Sequence, residues 1–230
     1  DYADLIINFG FESHIKKVKK VEVISDLKYA LVEQKYFKVS KNYKINPKVE
    51  NLFLSFGFLD SNGVLLKILK VLQKMKMAFN VNIVIGSKCP HLCKIKALLN
   101  KSSLNYNLLV DNENVENIMA KCDLAIGSGG VSLLERLIIG IPSITLLTSK
   151  NQINQTKKIF NMNATMIRNF NDIESQIFIS DFLNLVQSFE LRKKIFLNCR
   201  NIINKNSGKN LVNVIKKKFK KKFKIEKKLF

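Results

Sequence analysis

The sequence predicts an α/β fold in which helices cover both faces of a parallel sheet. Short apolar runs alternate with amphipathic segments from Pro47 to about Ile167, and glycines follow several of the runs. Strands and helices that alternate in this way are joined by right-handed crossovers, which place the strands parallel in one sheet. The 230 residues are 47% hydrophobic and 25% charged, which suits a globular domain with a substantial core. We therefore predict a Rossmann-like domain.

The individual elements follow from the hydrophobic pattern in chain order. The first predicted strand of this domain is residues 51–56, a short apolar run that ends at Gly57. A helix over residues 64–77 follows, because its apolar residues recur at helical spacing between lysines. The remaining predicted strands are residues 81–85, 106–110, 123–126, 143–147 and 164–167, and the remaining predicted helices are residues 91–99, 115–121, 131–139 and 151–160.

The helix over residues 131–139 has the clearest boundaries. It follows the glycines of residues 127–130, and Gly140 and Pro142 end it. Residues 178–204 are predicted to form closing helices. Residues 1–46 contain one predicted strand (Leu5–Asn8), a basic connector and the segment Lys28–Val32, which is too little for a second domain.

The charge of +21 makes nucleic acid and membranes candidate partners. The basic residues include only four arginines, whereas proteins that read phosphates and bases rely on arginine. We therefore expect no nucleic-acid partner. Residues 216–230 hold nine lysines and one glutamate, with Phe219 and Phe223 on one helical face. We expect this face to dock on the protein, and peripheral contact with an anionic membrane is the alternative.

Cysteine usage and hydropathy indicate a reducing compartment. The four cysteines form no dense framework, and no stretch of about 18 apolar residues is present, so we expect a cytoplasmic protein. The run Cys89-Pro-His-Leu-Cys93 contains residue types that bind zinc, but a structural site needs about four ligands and no second pair is nearby. We expect no metal and no other cofactor.

Two glycine loops fall at the predicted carboxyl ends of strands, where ligands bind in such sheets. They are residues 55–60 and 127–132. Glycine lets the backbone approach a phosphate closely, and a helix N-terminus offers N–H groups and the positive end of a dipole. Ser132 would add a hydroxyl, and Glu135 would accept hydrogen bonds from sugar hydroxyls. On these residues alone, a tight turn with Glu135 as a capping carboxylate is an equal alternative.

Several short pieces, spread over about residues 1–215, match one group of proteins in order and spacing. The pieces are Lys28–Val32, Leu52–Gly57 with Asp60, Leu65–Ile68, Ile118–Gly127, Glu135–Ile144, Asn151–Gln152 and Asn206–Lys209. Together they resemble the nucleotide-sugar half of GT-B proteins. Within that group they are most similar to the UDP-sugar hydrolases of pseudaminic acid biosynthesis, which remove UDP from UDP-2,4-diacetamido-2,4,6-trideoxy-β-L-altrose.

The resemblance implies a GT-B-like C-terminal Rossmann domain over residues 47–215. Residues 1–46 would be a remnant of the N-terminal domain with the interdomain connector, and residues 216–230 a basic tail. The implied substrate is a UDP-sugar, cleaved when water attacks the anomeric carbon, and we expect a monomer. The diphosphate would lie on backbone N–H groups, the ribose on Glu135 and the uracil near residues 110–112. The implied UDP-binding residues are Gly57, Val110, Gly129, Gly130, Val131, Ser132 and Glu135, with Asn151 and Gln152 at the sugar or the phosphates.

The sequence departs from this family at three points. Val131 stands where the family has Ser or Thr, and Phe58 stands where it has a second glycine. The family's general base is a His in a Gly-x-Gly-His motif, and neither His14 nor His91 has that context. We therefore expect the catalytic His, with most of the N-terminal domain, to lie outside this chain. Two alternatives remain: a GT-B glycosyltransferase of the type that adds N-acetylglucosamine to a lipid-linked acceptor, and a non-catalytic UDP-sugar-binding remnant.

Overall fold

A six-stranded parallel sheet lies at the centre of the computed structural model. The structure describes residues 3, 5–8, 21–149, 152, 156, 159, 161–200 and 202–226, with the backbone alone at residues 8 and 221–226. The strands of this sheet are β3 (Asn51–Ser55), β4 (Asn80–Ile85), β5 (Asn105–Val110), β6 (Leu124–Ser128), β7 (Ser143–Leu147) and β8 (Met166–Asn169). Strands β1 (Leu5–Asn8) and β2 (Glu22–Ser25) pair in parallel in a separate small sheet.

Eight α-helices have bounds within the described residues. They are α1 (Gln34–Ser40), α2 (Val64–Met75), α3 (Leu92–Asn100), α4 (Val115–Met119), α5 (Val131–Ile139), α6 (Gln176–Gln187), α7 (Phe189–Cys199) and α8 (Ser207–Glu226). Short 3-10 helices cover Leu27–Tyr29 and Phe170–Asp172. No helix of the described chain is both long and apolar enough to cross a membrane.

The strand order of the large sheet is β5-β4-β3-β6-β7-β8. Strands β3 to β5 are added toward one edge of the sheet and strands β6 to β8 toward the other, so the strand order reverses between the neighbouring strands β3 and β6. The three central residues of each of these two strands are fully buried, because helices cover both faces of the sheet. The two strands are in register with Ser55 opposite Gly127, which brings the loops that follow them to the same edge. Such a reversal leaves a crevice at the carboxyl ends of the strands.

The predicted α/β fold with a parallel sheet is confirmed. The predicted bounds of α5 and β7 match the structure, whereas β8 begins two residues later than predicted. At that point the Thr165 hydroxyl donates to the carbonyl of Ser143 at 2.9 Å, and the ladder of paired residues starts at Met166. Most of the predicted helix over residues 151–160 lies outside the described residues.

Helix α8, at the end of the described chain, packs against the segment before β3. It crosses residue 216 without a break and packs on the 3-10 helix Leu27–Tyr29. Asn210 donates to the carbonyl of Lys28 at 3.1 Å, and Lys218 pairs with Glu22 at 2.9 Å. The expectation that Phe219 docks on the protein is wrong. Leu211 is buried and Phe219 is 48% exposed, since Phe219 lies about 80° further round the helix.

The amino end of the sheet is held by Asp123, just before β6. Its buried carboxylate accepts hydrogen bonds from the backbone N–H groups of Glu50 and Asn51, at 2.9 and 2.8 Å, and from the Asn46 amide at 2.6 Å. Arg192 of α7 donates to the carbonyls of residues 46 and 47 from the other side. These contacts fix where β3 enters the sheet.

We expect Asp123→Ala to lower the free energy of unfolding by about 3 kcal/mol, because two backbone N–H groups lose a charged acceptor in a buried position. Urea denaturation followed by circular dichroism measures this value. Glu50→Ala is the control, since Glu50 makes a surface ion pair with Lys48, and it should change the value by less than about 0.5 kcal/mol. Equal losses in the two variants would contradict the role given to Asp123.

Candidate functional site

A cleft of about 510 Å³ opens at the carboxyl edge of the sheet. Its walls come from the loops after β3, β4 and β5, from one side of α5, and from α1. The lining residues in that order are Ser55, Gly57 and Phe58; Val84, Ile85 and Gly86; Asp111, Asn112, Glu113 and Val115; Ser132 and Glu135; and Tyr36. The cleft therefore lies at the point of the sheet where bound ligands are expected.

The loop between β6 and α5 requires glycine at two positions. Gly130 adopts φ 79° and ψ −148°, a conformation that is essentially restricted to glycine. A Cβ atom on Gly127 would lie 2.8 Å from the carbonyl oxygen of Ser55 and would overlap the guanidinium of Arg136. The backbone of this loop therefore comes close to both β3 and a buried cation.

The N-termini of α2 and α5 differ in what satisfies them. The buried carboxylate of Asp60 accepts from the backbone N–H groups of Val64 and Leu65, both at 3.0 Å, so α2 is capped by its own chain. Helix α5 begins after Gly130, and no side chain among the described residues caps it. Its free N–H groups and the positive end of its dipole are therefore available to an anion.

Phe58 forms one side of the cleft. Its ring lies against Gly86, where an added Cβ atom would be only 2.6 Å from it, and its carbonyl accepts from the Gly86 N–H at 2.9 Å. The ring is 54% exposed, which is high for a phenylalanine outside an interface. The residue that departs from the resembled family thus presents an aromatic surface to the cleft.

The carboxylate of Glu135 lies on the second turn of α5 and faces the cleft. It does not cap the helix, so the alternative of a capping carboxylate is wrong. The buried phenol of Tyr36 donates a hydrogen bond to it. Burial raises the pKa of Glu135, and the hydrogen bond from Tyr36 opposes that rise. Burial, with the nearby Glu135 carboxylate, also raises the pKa of Tyr36.

Helix α1 is held in place by Lys35. The ammonium donates to the carbonyl of Glu113 at 3.0 Å and pairs with Glu33 at 3.3 Å and with Glu116 of α4 at 3.5 Å. The helix also packs on α5. Tyr36 therefore reaches the cleft from a segment that precedes the Rossmann-like sheet.

The loops after β4 and β5 are tied together by Asp111. This residue has φ 51°, and its carboxylate accepts from the Ser87 N–H at 2.8 Å. The hydrogen bonds from Ser87 lower the pKa of Asp111. Its own N–H donates to the carbonyl of Ile85 at 3.0 Å. The backbone just after β5 is thereby fixed at the end of the cleft opposite α5.

Arg136 lies directly beneath the loop between β6 and α5 and is completely buried. It donates to the carbonyl of Ser128 at 2.7 Å and to the hydroxyls of Thr145 and Ser132, each at 3.1 Å. Because Ser132 also lines the cleft, a single hydrogen bond connects the buried guanidinium of Arg136 to a residue of the cleft wall. Burial lowers the pKa of Arg136 to about 10, which leaves the guanidinium charged at neutral pH.

The structure brings some of the predicted site residues together in the cleft. Gly57, Ser132 and Glu135 line it. Val110 is the last residue of β5, directly before the lining residue Asp111. Three predicted residues lie at the start of α5 beside the cleft rather than in its wall: Gly129, Gly130 and Val131. The side chain of Val131 is 59% exposed.

Gln152 lies away from the cleft wall. Gln152 accepts from the N–H and the hydroxyl of Thr148, both at 3.2 Å, and packs against Gly129, so it supports the glycine loop. Asn151 and His14 lie outside the described residues. His91 bonds to the carbonyl of Ser61 at 3.2 Å in the loop before α2. Among the residues that the structure describes, no three His, Cys, Asp or Glu side chains are grouped so as to hold a metal.

Sequence reasoning assigned no role to the side chains of Tyr36, Asp111 and Arg136, although it placed the uracil near the backbone of residues 110–112. Tyr36 has no local signal, because it belongs to a seven-residue helix held by tertiary contacts. Arg136 has a weak signal in the sequence, because it is a lone cation among the apolar residues that α5 buries. A charged residue at such a position requires buried hydrogen-bond partners, and this could have singled it out.

A parallel sheet with this strand order, a cleft at its reversal and a long helix that returns to the preceding segment define a Rossmann-like domain of the GT-B type. The comparisons with known proteins agree. The chain belongs to the family described as "Protein of unknown function (DUF354)", whose model matches residues 8–227.

Two curated relatives are similar to this chain over part of their length. Uncharacterized protein MJ1062 of Methanocaldococcus jannaschii is 27% identical over 162 residues, which are 66% of this chain and 34% of that protein. Spore coat polysaccharide biosynthesis protein SpsG of Bacillus subtilis is 20% identical over 219 residues, which are 93% of this chain and 63% of that protein. The chain therefore spans less than two thirds of either relative.

Three solved structures share the fold at low sequence identity. MurG of Acinetobacter baumannii has a TM-score of 0.68 at 15% identity, over 94% of this chain and 60% of that one. A glycosyltransferase of Rickettsia africae has a TM-score of 0.60 at 18% identity, over 88% of this chain and 58% of that one. HepE of Anabaena, solved in complex with UDP and glucose, has a TM-score of 0.60 at 13% identity, over 93% of this chain and 63% of that one. At these identities the similarity shows the fold alone.

We expect Glu135→Gln to stabilise the protein at neutral pH. A carboxyl with a raised pKa in the folded state costs stability once it ionises, so the wild-type fold loses stability as the pH rises from below 4.5 through the raised value. The glutamine removes this loss and still accepts from Tyr36. Thermal melts should show a Tm about 2 °C or more above wild type at pH ~7 and no gain at pH ~4.

Glu113→Gln is the matched control for this measurement. Glu113 is exposed and lines the same cleft, so it controls for the loss of one negative charge. A Glu135→Gln gain that is equal at both pH values, or that Glu113→Gln reproduces, would contradict the assignment of the effect to burial of Glu135.

Proposed function

We propose that this chain binds the UDP part of a UDP-sugar in the cleft and acts as the nucleotide-sugar half of a GT-B enzyme. The observation that carries the proposal is the open N-terminus of α5, which begins beside a cleft whose wall contains Ser132 and the Glu135 carboxylate. One element offers N–H groups to a diphosphate, and the other offers an acceptor to ribose hydroxyls.

In this proposal each part of UDP is assigned to one part of the cleft. The diphosphate would lie on the N–H groups of residues 129–131 and on the Ser132 hydroxyl, with Gly57 on the opposite wall. The ribose would donate to Glu135, which Tyr36 holds. The uracil would meet the backbone of residues 110–112, at the end fixed by Asp111. Asn151 and Gln152 remain proposed for the sugar or phosphates.

Transfer of the sugar to an acceptor is the first proposed reaction. It is supported by the solved glycosyltransferase of Rickettsia africae, by the UDP and glucose held in HepE, and by the role of SpsG in polysaccharide biosynthesis. Hydrolysis of a UDP-sugar of the pseudaminic acid type is the second, supported by the adjacent Glu135 and Arg136 of the resembled family. In both reactions the N-terminus of α5 would stabilise the charge on departing UDP.

We expect UDP to bind to the wild-type protein in calorimetric titration, and Glu135→Ala to weaken that binding about tenfold. The loss should fall on the ribose. Wild type should prefer UDP over 2′-deoxy-UDP, and the variant should lose that preference, because the carboxylate that accepts the hydroxyl is gone. Wild-type protein that binds no UDP at millimolar concentration would overturn the proposal.

The reaction is tested on the same protein with UDP-sugars. Release of UDP that depends on an added saccharide or lipid acceptor supports transfer, and release from the diacetamido-altrose derivative in water alone supports hydrolysis. Binding of UDP with neither reaction supports a binding domain that needs residues from outside this chain. Glu190→Ala, on an exposed turn far from the cleft, controls for unspecific loss of a carboxylate.

We also propose that the outer face of α8 contacts an anionic membrane surface. Val212 and Phe219 are 46% and 48% exposed and lie seven residues apart, so they share a face of the helix. Exposed lysines lie beside them on one side of the same helix, namely Lys209, Lys216 and Lys220. Apolar side chains among lysines suit the boundary between headgroups and acyl chains.

We expect the wild-type protein to co-sediment with phosphatidylserine-containing vesicles and not with phosphatidylcholine vesicles. Lys216→Glu with Lys220→Glu should lower the binding constant for these vesicles about thirtyfold, at about 1 kcal/mol for each lysine removed. Lys94→Glu with Lys96→Glu, on the exposed side of α3, is the control of equal charge. Equal losses in the two double variants would show that overall charge, not α8, binds the vesicles.

A further inference from the structure

Arg136 forms no ion pair with a carboxylate of the described residues, although its guanidinium is charged and fully buried. The three groups that accept its hydrogen bonds are a carbonyl and two hydroxyls. No carboxylate of the described chain lies within ion-pair distance of it, and its Nε–H has no partner among the described residues.

Hydroxyl and thiol groups complete these surroundings. The Thr145 hydroxyl lies 2.9 Å from that of Thr165, and Thr165 donates in turn to the carbonyl of Ser143. The nearby Cys199 remains a neutral thiol, since burial raises its pKa to about 12. The nearest carboxylate is Glu135, the adjacent residue, and it accepts from Tyr36 in the cleft.

Buried charges in proteins are normally compensated by a partner of opposite sign, because removing an ion from water is costly. Two other arginines of this chain are compensated, one by a carboxylate and one by several backbone carbonyls. Arg168 pairs with Asp181, and the buried Arg192 donates to four backbone carbonyls. Arg136 donates to one carbonyl and two hydroxyls, and one of those hydroxyls belongs to the cleft.

The hydrogen bonds of Ser132 direct this charge toward the cleft. Its oxygen accepts from Arg136 at 3.1 Å, and its own O–H, which has no acceptor among the residues that the structure describes, can donate to a ligand. Accepting from a guanidinium makes that O–H a stronger donor. The free N–H groups of α5 begin at the same place. An anion bound there would add a negative charge on the side of Arg136 where no described residue forms an ion pair with it.

We infer that Arg136 is a positioning residue that makes the cleft selective for the charged diphosphate, acting through Ser132 and through its field beneath the glycine loop. The inference rests on the proposed function, in that the ligand is taken to be a nucleoside diphosphate. Arg136 does not touch the ligand. It raises the affinity for each added phosphate and leaves the contacts to the nucleoside unchanged.

The test is calorimetric titration of uridine, UMP and UDP into wild type, Arg136→Met and Arg136→Lys. We expect Arg136→Met to bind uridine within about twofold of wild type and to bind UDP about tenfold or more weakly, with UMP between them. Arg136→Lys keeps the charge and should retain most of the UDP affinity. A residue that only braced the loop would be replaced no better by lysine than by methionine.

Arg192→Met is the matched control, since it removes a second fully buried arginine that lies away from the cleft. It should leave the ratio of UDP to uridine affinity unchanged. If Arg136→Met does not fold, Arg136→Gln is the second neutral variant, because its amide can still donate to the carbonyl of Ser128. Circular dichroism of each variant identifies folded protein.

Two results would overturn the inference. One is a UDP to uridine ratio in the folded neutral variants equal to that of wild type, and the other is a loss in Arg136→Lys as large as that in the neutral variants. Both presuppose that wild type binds UDP. Wild-type protein that binds none would instead overturn the proposed function itself, so the two failures are distinct.

Discussion

The arrangement of the cleft depends on the absence of a side chain at Gly127. This residue lies opposite Ser55, where β3 and β6 are neighbours and the strand order reverses. The space that a Cβ atom would need is filled by the Ser55 carbonyl and by the guanidinium of Arg136. Any larger residue would push the two strands apart or expel the cation. The glycine therefore fixes both the spacing of the central strands and the charge beneath the loop.

One wall of the cleft comes from a residue outside the six-stranded sheet. Tyr36 comes from the segment before β3, and the ion pairs of Lys35 hold its helix against α4. Helix α8 returns to the same segment through Lys218 and Glu22. The Rossmann-like unit and the preceding residues are thus packed together at two places. A displacement of α1 would remove the hydrogen bond on Glu135, and so the state of the carboxylate is coupled to the position of this segment.

Elements with local signals were predictable from the sequence, and those held by distant contacts were not. Helix α5 has its predicted bounds because Gly130 and Gly140 mark its ends. Helix α1 was not predicted, since its partners α4 and α5 lie far along the chain. Strand β2 was not predicted because its four residues include only two apolar ones, Val23 and Ile24, just after a lysine-rich stretch. The same division applies to the candidate site. Glu135 and Ser132 follow a glycine loop and were found, whereas the contacts of Arg136 with Thr145 exist only once β6 and β7 are paired.

The difference between the two helix N-termini gives the cleft a direction. Asp60 already satisfies the N–H groups of α2 and places a carboxylate there, which would repel a phosphate. Within the described part of the chain, helix α5 has neither a side-chain cap nor a nearby carboxylate other than Glu135, and the buried charge of Arg136 lies behind it. An anionic ligand is therefore favoured on the α5 side alone. A nucleoside diphosphate has its charge at one end, so the proposed ligand would have its base toward the loops after β4 and β5, where Asp111 fixes the backbone.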